Sequence, residues 1–193
     1  MDLAQVPRIA AALGAAPDCT PLALIAHLRQ SPLLNLRVRC EQQIARECLL
    51  LSAQRLEARA LARIAYRAVV DPQVANLSAW FDQQVEQSTM ELITEDLLFE
   101  SSIPADEPTL SLARCLGLES RLAHRACAQI NLMPPELRHA CRRLFIDATS
   151  FRACAEELGL TQYELRERIE SILHTIHRLT LEDNAVRSSA EST

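Results

Sequence analysis

The stretch Phe151–Leu179, FRACAEELGLTQYELRERIESILHTIHRL, decides how this chain is read. Phe151, Cys154, Ala155 and Leu158 recur at helical spacing. Gly159 stands where that first helix must stop, and it can take the positive φ that stops it. Thr161 then precedes a second apolar rhythm of Leu165, Ile169, Ile172, Leu173 and Ile176. Thr161 and Glu164 have the spacing of a reciprocal cap, in which each side chain satisfies one N–H that a helix start leaves unbonded. Ala153 and Ala155 are small enough for a close crossing. Two helices joined by such a short turn make a helix-turn-helix.

Working upstream, Pro134 and Pro135 suit a helix's first turn, where N–H groups have no intrahelical partner. A helix is expected over Glu136–Asp147, with Leu137, Cys141, Leu144 and Phe145 on one face and Arg138, Arg142 and Arg143 on the other. Ser150 would cap the next. Three helices, 136–147, 150–158 and 162–178, would then share one small core. Here a resemblance enters. The run CAEELGLT at 154–161, LRERI at 165–169, LMPPELR at 132–138 and Leu144-Phe145 resemble the C-terminal promoter-recognition domain (region 4) of bacterial sigma-70-type RNA polymerase sigma factors. The likeness covers roughly residues 130–179, under a third of the chain. A second, faint similarity, of Arg63–Tyr66 and Asp71-Pro72 to the core-binding region 2 of small sigma factors, carries no residue roles with it.

A recognition helix reads a major groove with side chains near its N-terminus. In this chain those are Gln162, Tyr163, Arg166 and Glu167. Gln bonds adenine bidentately and Arg bonds guanine. Thr161 can meet a phosphate through backbone N–H groups, and Arg168 can reach the DNA backbone. Arg138, Arg142, Arg143 and Arg152 are further backbone-contact candidates. The resemblance matches Arg166 and Arg168 to commonly basic positions. Ser171 and Leu173 stand where the family is usually basic, and Tyr163, Glu167 and Glu170 where it is usually small or neutral. Two Arg against Glu164, Glu167 and Glu170 is a thin supply of charge for a complex whose affinity comes from phosphate contacts.

Composition bounds the rest. The 193 residues are 49% hydrophobic with three Gly, rich in Ala, Leu, Arg, Glu and Gln, and without a period-2 run. The fold class expected is all-α: an N-terminal helical domain plus a C-terminal three-to-four-helix helix-turn-helix domain. All 20 basic residues are Arg, which excludes a catalytic or Walker lysine. Net charge is -5, against a broadly basic nucleic-acid binder. It is unevenly spread: +4 over 35–70, -9 over 71–119 and +2 over 120–180. Seven Cys, an odd number with no CxxC and no secretory leader, read as reduced core thiols of a cytoplasmic protein. No apolar run is long enough for a membrane span. His174 and His177 share a face but lack further ligands, so no metal is expected. There is no HExxH, Gly-rich phosphate loop or nucleophile elbow, so neither an enzyme nor a cofactor is expected.

The organisation expected is a helical prefix over 1–34, an N-terminal helical domain over 35–100, an acidic linker over 101–110, the helix-turn-helix domain over 111–181, and a disordered tail over 182–193. The prefix would hold short helices at Ile9–Leu13 and Pro21–Arg29, the second capped by Asp18 or Thr20. Residues 35–70 are either one long helix or two with a break near Ser52. Ala75–Thr94 follows, with Leu77, Trp80, Phe81, Val85, Met90 and Ile93 as its stripe. Trp80 and Phe81 are either core or a partner hot spot; with Arg59 and Arg63 they are the partner-contact candidates. The linker is read from Ile103–Pro108, with its two Pro.

The expected function is that of a divergent sigma-like transcription factor, engaging RNA polymerase core and double-stranded promoter DNA. The alternative is a protein-interaction module, or structural adaptor, that keeps the shape without binding DNA. A third reading is a helical oligomer that buries 41–69 against itself.

Overall fold

The computed structural model describes residues 20–30, 35–70, 76–98 and 105–190. Among them are nine α-helices and no strand. They are α1 (Pro21–Gln30), α2 (Leu36–Glu47), α3 (Ala53–Val70), α4 (Leu77–Leu98), α5 (Glu107–Leu116), α6 (Ser120–Asn131), α7 (Pro135–Cys141), α8 (Phe151–Glu157) and α9 (Gln162–Ala190). A π-helical turn, Arg142–Ile146, prolongs α7. The all-α expectation holds. The chain divides into two compact units, residues 1–43 with 53–92, and residues 44–52 with 93–193. No described helix is long and apolar enough to cross a membrane.

In the first unit, Thr20 caps α1, its hydroxyl accepting the Ala23 N–H at 3.2 Å. The expected helix at Ile9–Leu13 and the alternative cap Asp18 lie outside the described residues. Helix α1 packs on α3 and buries Leu24 and Leu28. Helix α3 buries Leu56, Ala60, Leu61, Ile64, Ala65 and Ala68, a stripe of regular helical spacing. Trp80 and Phe81 on α4 are 8% and 4% exposed and meet edge to face at 5.3 Å. They are core, so their candidacy as a partner surface is withdrawn. Arg63 is likewise spent internally. Its guanidinium bonds the side chains of Gln84, Gln87 and Glu91 along α4.

Of the two readings of residues 35–70, the one with a break holds: the helices part at Cys48–Ser52. Cys48 takes φ 52°, its N–H bonds the Ala45 carbonyl at 3.3 Å, and the Leu49 N–H reaches back to Ile44 at 3.0 Å. That pair of bonds closes a helix end with a left-handed residue. The segment that follows carries Leu49, Leu50 and Leu51, all buried. It belongs to the second unit, where polar side chains hold its backbone. Asn131 accepts the Leu50 N–H at 2.7 Å and donates to the Leu50 carbonyl at 3.3 Å. Arg142 donates to the Leu49 carbonyl at 2.7 Å. Asp106 accepts the Ser52 N–H at 3.1 Å.

Asp106 also corrects the linker reading. Its Oδ1 accepts the Thr109 N–H at 3.2 Å and the Thr109 hydroxyl at 2.6 Å, capping α5. Pro108 therefore falls in a first helical turn, where a missing N–H costs nothing. Residues 107–110 are helix, and 99–104 lie outside the described residues. The tail expected to be disordered is also helical as far as Ala190, since nothing between Glu182 and Ala190 is Gly or Pro.

The core of the second unit gathers Leu50, Leu112, Ala126, Cys127, Ile130, Cys141, Cys154, Leu165, Ile169, Ile172 and Ile176, among others. The expected shared core of the last three helices is present except for Phe151, which is exposed, with Leu50 and helices α5 and α6 added to it. Four Cys are buried as expected, at 40, 127, 141 and 154, whereas Cys115 is exposed.

Candidate nucleic-acid interface

Ser150 starts α8, its Oγ accepting the Ala153 N–H at 3.2 Å. Gly159 ends it with φ 65°. The Gly159 N–H bonds Glu156 at 3.2 Å and the Leu160 N–H bonds Ala155 at 2.9 Å. The reciprocal cap then opens α9. Thr161 Oγ1 accepts the Glu164 N–H at 3.2 Å, and the Glu164 carboxylate accepts the Thr161 N–H at 2.8 Å and its hydroxyl at 2.7 Å. Those bonds to Thr161, with a smaller contribution from Arg168, hold the Glu164 carboxyl below its ordinary pKa. Glu164 is therefore a cap first and a repellent of phosphate second.

Helix α9 buries Leu165, Ile169, Ile172, Ile176 and Leu179. That stripe leaves Gln162, Tyr163, Arg166 and Glu167 exposed and Arg168 half-buried. Leu173, expected in the buried rhythm, is exposed instead: it lies at the margin of the stripe, about 40° around the helix from Ile169 but about 100° from Ile172. Phe151, Gln162, Tyr163, Arg166, Ile169, Glu170 and Leu173 line a groove of about 520 Å³. The groove thus opens on the face that the helix-turn-helix reading assigns to a partner.

The Arg residues are not gathered there. Arg138 is turned inward, donating to Glu47 at 2.8 Å and to the Asn131 carbonyl at 3.2 Å, with 12% of its side chain exposed. Arg142 holds the Leu49 carbonyl. Arg143 lies between Asp147 at 2.9 Å and Glu157 at 2.8 Å, and both carboxylates raise its pKa. Arg138 and Arg142 are structural, which corrects their candidacy as phosphate contacts. Arg152 pairs with Glu156 at 2.9 Å but stays 79% exposed. Arg166 lies 4.0 Å from Glu170 and is 73% exposed. Of the candidate cations on α8 and α9, Arg152 and Arg166 are exposed and Arg168 is half-buried, while Arg59 on α3 is half-buried in the first unit.

The sequence matches no family model, and neither the curated proteins nor the solved structures searched contain a match.

Proposed function

We propose that this chain is a divergent sigma-like transcription factor whose C-terminal helix-turn-helix meets promoter DNA in company with RNA polymerase. The observation that supports this is the opening of α9: a Gly-ended turn and a reciprocal cap hold a helix start from which Gln162, Tyr163, Arg166 and Glu167 project into solvent. With three cations at that surface, contact with DNA is weak without a companion protein. Its salt dependence is shallow, a log–log slope no steeper than about -3. The test is fluorescence anisotropy with promoter duplexes, with and without core polymerase. Binding that requires polymerase and falls with R166E supports the proposal; no binding in either format overturns it.

A second reading is favoured by the inward use of Arg138 and Arg142 and by the pairing of Arg143 with Asp147 and Glu157. In it the helix-turn-helix serves a protein partner without DNA. A defined partner other than polymerase, whose affinity is indifferent to R166E, would select it.

A further inference from the structure

We infer that the groove-lining face of α9 docks a second copy of this chain, antiparallel, about a two-fold axis level with residue 168. The inference follows from how the exposed residues of α9 are ordered. Tyr163, Arg166, Glu170 and Leu173 lie within one sector about 80° wide, beside the buried stripe and bordering it at Ile169. Tyr163 and Leu173 are 68% and 38% exposed, one at each end of a stretch about 15 Å long, and Phe151, which also lines the groove, adds to them.

The order of these four residues is self-complementary. A two-fold axis reverses one helix against the other, so a residue five positions before the axis meets one five positions after it. Tyr163 then faces Leu173 of the second copy, and Arg166 faces Glu170 of the second copy. Each contact occurs twice, as a two-fold interface requires. Apolar side chains meet at both ends and opposite charges meet in the middle. The same four residues in a parallel arrangement would set Arg166 against Arg166 and Glu170 against Glu170. The weak intrahelical pair, 4.0 Å apart and open to water, gives up little when it exchanges partners.

A single helix face with its rim is at the small end of specific interfaces, so the dimer is concentration-dependent. It also covers the residues assigned above to DNA, so self-association and DNA contact exclude each other. The inference does not depend on the DNA reading, because its test contains no nucleic acid.

The test is sedimentation velocity of the full chain from roughly 1 to 200 µM, a range that brackets weak interfaces of this size. Wild type is expected to shift from monomer to dimer. R166E and E170R each place like charges opposite one another at two points and are expected to weaken the dimer roughly tenfold or more. The double exchange R166E/E170R restores opposite charges and is expected to restore the dimer. Both positions are exposed, and unchanged far-UV circular dichroism confirms that each variant is folded. A wild type monomeric throughout overturns the inference and leaves the face to DNA or another protein. So does a dimer indifferent to the single reversals, or a folded double variant that stays monomeric.

Discussion

Replacing Asn131 by Ala tests how the second unit is held together. The Asn131 side chain is buried and bonds both polar groups of the Leu50 backbone, at 2.7 and 3.3 Å. Leu50 itself is buried in the core of that unit. Asn131→Ala removes both bonds and leaves an N–H and a carbonyl without their partner in a place where water is scarce. At about 1–3 kcal/mol for each stranded group, the loss is about 2–6 kcal/mol. With a urea slope of ~2 kcal/mol/M, the midpoint moves down by ~1–3 M. Urea unfolding followed by circular dichroism measures it. A companion variant, Asn131→Asp, keeps the acceptor for the Leu50 N–H but turns a second oxygen toward the Leu50 carbonyl. Burial and that carbonyl both raise the new carboxyl's pKa. Its penalty is therefore largest at neutral pH and shrinks as pH falls through the raised value, when a carboxylic O–H can donate to the Leu50 carbonyl. The reasoning is refuted if Asn131→Ala unfolds at the wild-type midpoint with an unchanged slope. Leu49–Leu51 would then be held by apolar contact alone.

Four further outcomes are expected. Gly159→Ala destabilises by roughly 1–2 kcal/mol from backbone strain alone, since an added Cβ meets no atom within 4 Å and φ is 65°. Ala148→Gly stabilises by about 0.5–1 kcal/mol because Ala148 is an exposed residue at φ 51°; thermal unfolding of the pair checks both signs. Thr161→Ala raises the lowered Glu164 pKa only part of the way to its ordinary value, since the larger contribution, the Thr161 backbone N–H, stays and the hydroxyl bond goes; carboxyl-carbon NMR titration reads it. The sign follows from the carboxylate being favoured in the folded chain. The stabilisation is complete above the ordinary Glu value and fades as pH falls through the lowered one. A thiol reagent at pH 8 modifies exposed Cys115 ahead of Cys40, Cys127, Cys141 and Cys154, as peptide mass mapping will show. Burial pushes the Cys40 and Cys141 thiols up to about 12 and raises Cys127 and Cys154 as well, so little nucleophilic thiolate exists there.

The helix-turn-helix could be read from the chain because three independent signals coincide within a few residues. Gly159 ends one helix, Thr161 and Glu164 begin another, and the apolar period restarts at Leu165. Helix α4 shows the opposite case. Its buried sector holds Gln84, Ser88, Thr89 and Asp96 among Trp80, Phe81, Val85, Leu92 and Ile93, while apolar Met90 faces water. Counting apolar residues marks such a helix poorly. The polar residues are tolerable inside because Ser88 donates to the Gln84 carbonyl at 2.7 Å and Thr89 to the Val85 carbonyl at 3.0 Å, so each hydroxyl is satisfied by its own helix. Gln84 accepts from Arg63. The double role of Asp106 was hidden for a related reason. Pro104 and Pro108 look like breakers until the cap places the second of them in a helix's first turn.

The Arg residues explain why the candidate site was harder to read than the fold. A position on a helix fixes where a side chain starts, but a long cation can lie back over the protein or extend into water. Arg138, Arg142 and Arg143 sit on the helix and π turn at 135–146, where the spacing predicts a polar face. Even so, two of them bond main-chain carbonyls and all three reach partners far off in sequence or paired carboxylates. The guanidinium suits this work, since its planar fork can serve a carbonyl and a carboxylate together, as in Arg138 with Asn131 and Glu47. In a chain whose every basic residue is Arg, charge counted along the sequence overstates the charge available at the surface. The +2 of residues 120–180 is therefore no measure of a basic face. What matters at α9 is the handful of cations left outside, and there Arg166 stands beside Glu170, within reach of a partner that presents the same two charges in reverse order.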